Sequence, residues 1–343
     1  MNTADTTPTT TDPTTNLTPT SSTTTSSSTT TSSPTTTSSP TTISSPTPVN
    51  STPTSPADTT STDDNPYDLL AQDHDEGHRW AFGTGFADPL SGIDASVPEQ
   101  LDPHALARWC LALGDDALIY SHRLQQWVAR LPELEEETAV ANIALDLLGQ
   151  ARLLLSRAGG IAGQTEDQLA FFREEKEFRS VRLAEHDDRD FAELVVRLLI
   201  FSTWRLALFE ELSSAPDPVL AAIAAKGVNE LAYHRDYAAR WVVRLGDGTP
   251  VSHAKAQAAL DTLWPLVGEL FRPDPDALAT VDPAAFDAVL DTVLATAGLE
   301  RPTAAALAPV GGRTGRDGVH TEAMGYILAE LQSVARAHPD ATW

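Results

Sequence analysis

Apolar side chains recur with helical spacing from about residue 104 to the carboxyl terminus, and polar side chains fill the positions between them. This period predicts four long helices and four shorter ones, and no segment has the sustained two-residue alternation of a strand. The expected long helices span residues 106–130, 133–157, 190–212 and 219–245, and the shorter ones span 167–177, 253–271, 283–297 and 319–337. We therefore predict an all-α domain in which the long helices form a bundle around one core.

Proline and glycine set the expected ends of the long helices. Pro132 is expected to end the first helix, and Gly159-Gly160 is expected to follow the second. Pro216-Asp-Pro218 separates the third helix from the fourth, and Gly246-Asp-Gly248 is expected to close the fourth. The helical domain then has about 240 residues, which is enough to enclose a bundle core.

The chain before this domain has a different composition. Thr, Ser and Pro make up 50 of the first 65 residues, and no Lys or Arg occurs among them. Too few apolar side chains are present there to offset the entropy lost on ordering, so we expect residues 1–65 to be a disordered tail. Residues 66–104 mix Gly, Pro, Asp and a few aromatics, and we expect an irregular acidic linker that contacts the domain through Trp80, Phe82 and Phe86.

Composition also limits the cellular location of the protein and the classes of partner that it can bind. The first residues lack the basic and apolar regions of a secretory signal, and no apolar run approaches the roughly 20 residues that cross a bilayer. Cys110 is the only cysteine, which excludes an intrachain disulfide and a thiolate metal cluster. The formal net charge is −25, and it stays near −20 without the tail because 43 acids remain against 23 bases. These features predict a soluble, cytoplasmic protein whose main partner is neither nucleic acid nor an anionic membrane.

Three polar residues recur every four positions in the second long helix. Asn142, Asp146 and Gln150 therefore share one face, while most residues around them are Ala, Ile or Leu. An unpaired buried polar group costs about 1–3 kcal/mol, so these side chains require partners. Two interpretations fit: a hydrogen-bonded network that fixes the register of the helices, or part of a metal site.

A second polar pair lies in the fourth long helix. Glu230 and His234 are four residues apart and so face the same way. A dinuclear iron site in a helical bundle takes one carboxylate from each of two helices, and a Glu with a His one turn later from each of the other two. The pair either supplies one such Glu-and-His half of a metal site or forms a Glu–His hydrogen bond within the bundle. Asp146 lacks the other half, because Gly149 and Gln150 stand where a second histidine is needed.

The number of possible ligands weighs against an intact two-metal centre. The first and third long helices add Asp115, Asp116, His122, Glu193, Glu210 and Glu211. The last two lie at a helix end, where acids are commonly solvated, and only one histidine in the set is well placed. We therefore expect a bundle whose metal site is degenerate.

Ordered sequence blocks resemble the C subunit of the ring-hydroxylating phenylacetyl-CoA epoxidase, a bacterial multicomponent oxygenase. The resemblance covers roughly residues 105–343. Its blocks include Leu113-Gly-Asp115, Ser121-His-Arg-Leu124 with Trp127, Pro132-Glu-Leu134, Ala141-Asn-Ile-Ala-Leu-Asp-Leu-Leu-Gly-Gln-Ala-Arg152, Trp204-Arg-Leu-Ala-Leu-Phe209, Glu230-Leu-Ala-Tyr-His234, Trp241-Val-Val-Arg-Leu-Gly-Asp-Gly-Thr249 and Gly318-Val-His-Thr-Glu322. Ordered blocks over this length make a more specific match than any single motif.

This resemblance implies a ferritin-like four-helix bundle with additional C-terminal helices. It implies a structural, non-catalytic subunit that pairs with a homologous catalytic A subunit and with other epoxidase subunits. The A subunit would hold the di-iron centre and bind the aryl-CoA thioester, and a reductase with flavin and an iron–sulfur cluster would deliver electrons from NADPH. This chain would have no catalytic residue and no metal of its own. Its vestigial metal positions would be Asp146, Gln150, Glu193, Glu230 and His234.

The segment 313–322 near the carboxyl terminus carries two arginines and a histidine beside glycines. Arg313, Arg316 and His320 would suit the phosphates of CoA, because Arg binds phosphate through two parallel hydrogen bonds. Alternatively, the segment is a loop that leads into a last helix starting near Thr321, with its arginines bonded to carboxylates. We favour a structural or interface role for it.

Three functions are consistent with the sequence. The first is the structural subunit of ring-1,2-phenylacetyl-CoA epoxidase in aerobic phenylacetate catabolism. The alternative is a di-iron oxygenase or ferroxidase active in its own right, with Asp146, Glu193, Glu230 and His234 as metal ligands. An iron-storage ferritin fits least, because storage cages need a compact chain and a long acidic tail suits that assembly poorly.

Overall fold

The computed structural model describes residue 90, residues 92–131 and residues 133–341. This part of the chain contains nine α-helices, three short 3-10 helices and no β-strand. The α-helices are α1 (Pro103–Gln125), α2 (Leu134–Ala162), α3 (Glu166–Phe171), α4 (Arg182–Glu185), α5 (Phe191–Leu212), α6 (Pro218–Gly246), α7 (Pro250–Val267), α8 (Pro283–Ala297) and α9 (Glu322–Ala337). The 3-10 helices are Glu175–Glu177, Gly268–Phe271 and Gly315–Asp317.

The four long helices α1, α2, α5 and α6 form the bundle. α1 packs along α2 and α5 packs along α6, and the two pairs meet where α2 contacts α6 and where side chains of α1 contact α5. α5 is the central helix, because 18 of its 22 residues are buried. α7 and α8 cover α5 and α6, and α9 packs against α1, α3 and α4. The predicted fold class, an all-α ferritin-like bundle with additional C-terminal helices, is confirmed.

Three of the helices begin with the same pair of residues, an Asp followed by a Pro. The side chains of Asp102, Asp217 and Asp282 each accept a hydrogen bond from a backbone N–H of the first turn of α1, α6 and α8. Such an N–H has no acceptor within the helix, and proline at the first helical position gives up no hydrogen bond. The starts of these helices are therefore encoded locally.

α1 ends earlier than its hydrophobic pattern predicts. Its last residue is Gln125, whereas the pattern extends the helix to residue 130. Residues 127–130 form turns, and Ala129 has a φ of 67°, in the left-handed region through which a right-handed helix does not continue. Pro132, which was expected to end the helix, lies outside the described residues.

α2 runs past the two glycines that were expected to follow it. The helix continues through Gly159 and Gly160 to Ala162, and Gly163 caps it with a φ of 73°. Gly159 has a packing role, because a Cβ at that position would lie 2.3 Å from the carbonyl oxygen of Gln164. The prediction of a glycine cap was right in kind and wrong in position.

The helix predicted over 167–177 is divided in the structure. α3 ends at Phe171, and the 3-10 helix Glu175–Glu177 follows it. The break lets Arg173 turn inward and donate a hydrogen bond to Asp115 of α1 at 3.0 Å. The other predicted helix ends lie within three residues of the observed ones, if the 3-10 helix Gly268–Phe271 is counted as part of α7.

α1 begins at Pro103 and so includes the last two residues of the linker predicted over 66–104. The described residues just before α1 contact the bundle, since the carbonyl of Ala95 accepts a hydrogen bond from Arg157 of α2 at 2.6 Å. The disordered tail and the three aromatic contacts of the linker were predicted within residues 1–89, which lie outside the described part of the chain.

Within the described residues, α2 is the one helix long and apolar enough to cross a bilayer by length and composition. The same length and composition suit a helix of a packed bundle. α2 also carries Arg152 and Arg157, which form ion pairs with Glu166 and Asp217 of the same domain.

Candidate functional site

Four of the positions predicted to be the remnant of a metal site converge between α2 and α6. His234 Nε2 lies 3.0 Å from Oδ2 of Asp146. Gln150 Nε2 donates a hydrogen bond to Oε2 of Glu230, also at 3.0 Å. The two contacts are four residues apart on each helix and occur in opposite order, so α2 and α6 run antiparallel. These four residues are referred to below as the polar seam.

Two basic side chains add further contacts to the polar seam. Arg205 of α5 donates from Nε to Oε1 of Gln150 at 3.0 Å, and Lys226 of α6 forms an ion pair with Glu230. Arg205 is fully buried, and its guanidinium lies 4.5 Å from the ring centroid of Phe209. Burial lowers the pKa of Arg205 to about 10, which leaves the side chain charged at neutral pH. One positive charge, that of Arg205, therefore lies beside Gln150, and another, that of Lys226, lies beside Glu230.

The residues of the polar seam do not fit two metal ions. The amide of Gln150 is engaged on both sides, because its oxygen accepts from Arg205 and its nitrogen donates to Glu230. A di-iron centre needs a histidine from each of two helices, and the seam has one, His234, whose Nε2 already faces Asp146. Its Nδ1 is the only nitrogen of the described seam without a hydrogen-bond partner. The donor set suits a hydrogen-bonded network instead.

Glu193, the fifth residue of the predicted metal remnant, lies elsewhere. It occupies the first turn of α5, twelve residues before Arg205, which corresponds to about 18 Å along the helix axis. Its carboxylate pairs with Arg189, and its Oε2 lies 3.4 Å from His186 Nε2. The predicted set is therefore corrected: Glu193 shares the helix of Arg205 but not the site.

A cluster of His186, Asp188 and Glu193 lies near the start of α5. One possible metal-ligand atom from each residue lies within 4.8 Å of the others. Both carboxylates are already neutralised, because Arg197 pairs with Asp188 and Arg189 pairs with Glu193. Burial raises the pKa of Asp188 to about 6 against the opposing charge of Arg197, and burial lowers the pKa of His186. Two adjacent guanidinium groups repel a cation, so the arrangement is that of an ion-pair network.

Two buried carboxylates of α1 bind arginines from distant parts of the chain. Asp115 accepts two hydrogen bonds from the guanidinium of Arg173, and Asp116 accepts two from Arg316, at 3.0 and 2.7 Å. Burial raises the pKa of Asp116, while the charges of Arg316 and Arg205 oppose that rise. The sequence offered these acids only as possible metal ligands. Their partners lie 58 and 200 residues away, so no local pattern identifies them.

The arginines considered for CoA phosphate differ in their surroundings. Arg316 is held by Asp116 and also donates to the backbone carbonyls of Ala112 and Arg179 at 3.0 and 2.8 Å. Arg313 is exposed and donates to the carbonyl of Asp317 at 2.6 Å. Only Arg313 of the two presents its side chain to solvent.

His320 is held inside the domain by Glu185 of α4. Its Nδ1 lies 2.5 Å from Oε1 of Glu185, and its Nε2 lies 3.1 Å from the carbonyl oxygen of Phe178. The other oxygen of Glu185 accepts hydrogen bonds from the backbone N–H and the hydroxyl of Thr321, the residue that precedes α9. This cluster attaches the start of α9 to α4 and leaves no free imidazole nitrogen for a phosphate.

Arg205 was not among the predicted site residues. Its sequence signal is weak and local, a charged residue between Trp204 and Leu206 in an otherwise apolar stretch of α5. A buried guanidinium requires acceptors, so such an arginine indicates polar partners on the facing helices. The sequence does not say which ones.

Comparison with known proteins agrees with the resemblance found in the sequence. Residues 94–343 match the family described as phenylacetic acid catabolic protein. Over 246 residues the chain is 41% identical to the C subunit of 1,2-phenylacetyl-CoA epoxidase from Escherichia coli (strain K12), a match that covers 69% of this chain and 99% of that protein. Because the family match spans residues 94–343 and the match to the Escherichia coli subunit covers 99% of that protein, the chain belongs to the phenylacetic acid catabolic protein family.

Proposed function

We propose that this chain is the structural, non-catalytic C subunit of a ring-1,2-phenylacetyl-CoA epoxidase in aerobic phenylacetate catabolism. The observation that carries the proposal is the 41% identity to the Escherichia coli C subunit over 99% of that protein. Identity spread over a whole subunit, rather than over one motif, supports a shared role in addition to a shared fold.

The chemistry of the polar seam supports the non-catalytic part of the proposal. Arg205 and Lys226 supply positive charge beside Gln150 and Glu230, where metal ions would supply it in a di-iron bundle. Binding a metal there would require a buried guanidinium to lose its acceptor, which is costly in a water-excluded interior. We infer that the isolated chain binds no stoichiometric iron.

The catalytic chemistry is then assigned to the other subunits. A homologous A subunit holds the di-iron centre and the acyl-CoA substrate, and a reductase with flavin and an iron–sulfur cluster passes electrons from NADPH. This chain acts in the cytoplasm, where it binds the A subunit and stabilises the fold of that subunit. The formal charge of −25 argues against nucleic acid or an anionic membrane as a further partner.

Expression of the chain with and without the A subunit tests the proposal. We expect the two chains to co-purify, and we expect epoxidation of phenylacetyl-CoA only when both are present with the reductase. Metal analysis of the isolated chain should give far less than one iron per chain. As a matched control, the double substitution Asp146→Asn with Glu230→Gln should leave the iron content per A subunit unchanged, because neither residue is a metal ligand in this proposal.

Two results would contradict the proposal in different ways. About two tightly bound irons per isolated chain would overturn the non-catalytic role and favour a di-iron oxygenase or ferroxidase. Failure of the chain to bind the A subunit or to affect its turnover would overturn the role as a subunit.

A further inference from the structure

The second half of α6 carries two rows of side chains that repeat every four residues and so run along the same side of the helix. One row is aromatic and the other is charged: Tyr233, Tyr237 and Trp241, and Asp236, Arg240 and Arg244. The aromatic row is not enclosed by the domain, because Tyr233 is 53% exposed and the other two are half-buried. Aromatic surface is therefore open to solvent near the end of α6.

The two rows and Glu136 of α2 line a surface cavity of about 240 Å³. Pockets that hold drug-sized ligands have roughly 300–1,000 Å³, so this cavity suits a smaller molecule. Its lining consists of three aromatic and four charged side chains. The cavity thus offers both ring faces and charges to a ligand, and the polar seam does not include any of these residues.

Glu136 fixes two of the aromatic rings. Its Oε2 accepts a hydrogen bond from Nε1 of Trp241 at 2.9 Å and another from the hydroxyl of Tyr237. Burial and the hydrogen bond to Glu136 raise the pKa of Tyr237, so the hydroxyl keeps its proton and donates. The ring of Phe191 packs edge-on against that of Trp241, with 4.9 Å between their centroids. Rings that are already held in place lose little freedom when a ligand binds.

One positive charge of the cavity is unpaired. Arg240 forms an ion pair with Asp236 at 2.9 Å, so these two side chains neutralise each other. Arg244 has no carboxylate partner among the described residues, and its guanidinium stacks on the ring of Trp241, 4.6 Å from the centroid. Stacking leaves the N–H groups at the edge of the guanidinium free, and such a fork binds a carboxylate through two parallel hydrogen bonds.

One negative charge of the cavity is unpaired as well. Both donors to Oε2 of Glu136 are uncharged, and its Oε1 has no hydrogen-bond partner within the described part of the chain. Glu136 and Arg244 contact the same indole, one at its N–H and the other over its face, yet they form no ion pair with each other. Electrostatic complementarity then favours a ligand that carries one carboxylate and one ammonium group.

We propose that this cavity binds a free aromatic amino acid. The carboxylate of the ligand pairs with Arg244, and its ammonium donates to Oε1 of Glu136. Its ring packs against Tyr233 and Tyr237, since aromatic rings stabilise each other in edge-on or offset contacts. The inference goes beyond the proposed function and does not depend on it, because residues of this chain alone form the site.

Titration calorimetry of the isolated full-length chain with L-phenylalanine tests the chemical class of the ligand. We expect a Kd of about 1 mM or lower, which is in the range for so small a molecule. Three analogues each lack one group: phenylacetate has no ammonium, phenethylamine has no carboxylate, and L-alanine has no ring. Each should bind at least about tenfold more weakly than L-phenylalanine, because each leaves one part of the site without its partner.

Two arginine variants test the carboxylate contact. Arg244→Gln removes the guanidinium and should raise the Kd of L-phenylalanine at least about tenfold, while the Kd of phenethylamine should stay the same. The matched control is Arg130→Gln, which removes a guanidinium that also stacks on a tryptophan, Trp127, but does not line this cavity. The control should change the Kd of L-phenylalanine less than about twofold.

Two glutamate variants test the ammonium contact. Glu136→Gln removes the charge and keeps an oxygen that can accept from Tyr237 and Trp241. It should raise the Kd of L-phenylalanine at least about tenfold without weakening the binding of phenylacetate. Glu135→Gln removes the same charge from an exposed neighbour outside the cavity and should change the Kd less than about twofold.

Three results would overturn the proposal. No binding of L-phenylalanine at about 10 mM would remove the site. Equal Kd values for phenylacetate and L-phenylalanine would exclude the ammonium contact and with it the amino-acid class. Binding that neither Arg244→Gln nor Glu136→Gln weakens, in variants with the Tm of the wild type, would place the ligand elsewhere. If a variant is unstable, the analogues bound to the wild type decide, and no result of this series bears on the role as a subunit.

Discussion

At the scale of single residues, the interior of this domain is marked by carboxylates paired with guanidinium groups. These pairs are buried, and several of them join residues far apart in the chain. They include Asp115 with Arg173, Asp217 with Arg157, and Glu269 with Arg182. Removing one member leaves the other charged and unpaired in a region that water does not reach, which is far more costly than the loss of a surface ion pair.

We expect Asp115→Asn to lower the free energy of unfolding by about 3–5 kcal/mol, because it leaves the guanidinium of Arg173 without its counter-charge. Urea denaturation followed by circular dichroism gives this value. The matched control is Asp236→Asn, which breaks the exposed pair with Arg240 and should cost at most about 1 kcal/mol. Equal costs for the two substitutions would contradict the assigned role of burial.

The pair of His320 and Glu185 makes part of the stability depend on pH. Burial alone would lower the pKa of His320, but the hydrogen bond and the charge of Glu185 outweigh it, and the pKa is raised, with a smaller contribution from Asp115. A histidine whose folded-state pKa is raised stabilises the fold fully below its unfolded pKa of about 6.5. That contribution is lost as pH rises through the folded-state pKa.

We therefore expect His320→Gln to reduce the free energy of unfolding more at pH 6 than at pH 9. Urea denaturation of the wild type and the variant at both pH values measures this. The pKa values of Asp188 and His186 are also shifted, so these residues contribute to the pH dependence of both proteins. Subtracting the unfolding free energy of the variant from that of the wild type at each pH cancels their contributions. A cost that does not change with pH would mean that the charged imidazole is not what stabilises the contact.

At the scale of elements, the turn after α1 holds a residue in an unfavourable conformation. Ala129 has a φ of 67°, and a residue with a Cβ pays about 1–2 kcal/mol in the left-handed region. Glycine adopts this conformation freely but gains entropy in the unfolded chain. We expect Ala129→Gly to raise the free energy of unfolding by about 0.5–1 kcal/mol, measured as a higher Tm by calorimetry.

The control for this substitution lies inside a helix. Ala288 is exposed in the middle of α8, and Ala288→Gly should lower stability by about 1 kcal/mol because glycine disfavours a helix interior. A Tm lowered by both substitutions would show that the backbone of Ala129 is not strained.

Helix starts and helix ends differ in how far the sequence reveals them. The Asp-Pro pairs that begin α1, α6 and α8 act within one turn. The predicted start at residue 283 is correct, and the predicted starts of α1 and α6 are late by three residues and by one. The end of α2 depends on Gly159 packing against the loop at Gln164, and the end of α1 depends on a turn at Ala129. Those ends are set by contacts and conformations that the helical period does not contain.

At the scale of the whole molecule, Cys110 reports the integrity of the bundle. The thiol lies fully buried in α1, and burial raises its pKa to about 12. The thiolate is the reactive form, so the native thiol should resist disulfide reagents. We expect labelling of the native protein to be no faster than its unfolding rate, measured in parallel by urea dilution. Rapid labelling under native conditions would show that α1 opens without unfolding of the bundle.

Local sequence was enough to establish the class of structure and the family. The helical period and the ordered blocks are local properties, and they led to an all-α ferritin-like bundle and to the resemblance to the epoxidase. The period also placed Asp146 with Gln150, and Glu230 with His234, on one face of each helix. Local spacing is enough for such statements because side-chain direction repeats along a helix.

Which polar groups meet became known only from the packing of the helices. That packing joins Gln150 to Glu230 and to Arg205, and Glu193 lies about three turns of α5 away from Arg205. It also places Arg316 on Asp116, 200 residues away. A helical period fixes the direction of a side chain but neither its depth in the bundle nor its neighbour, because both depend on how helices distant in sequence pack together.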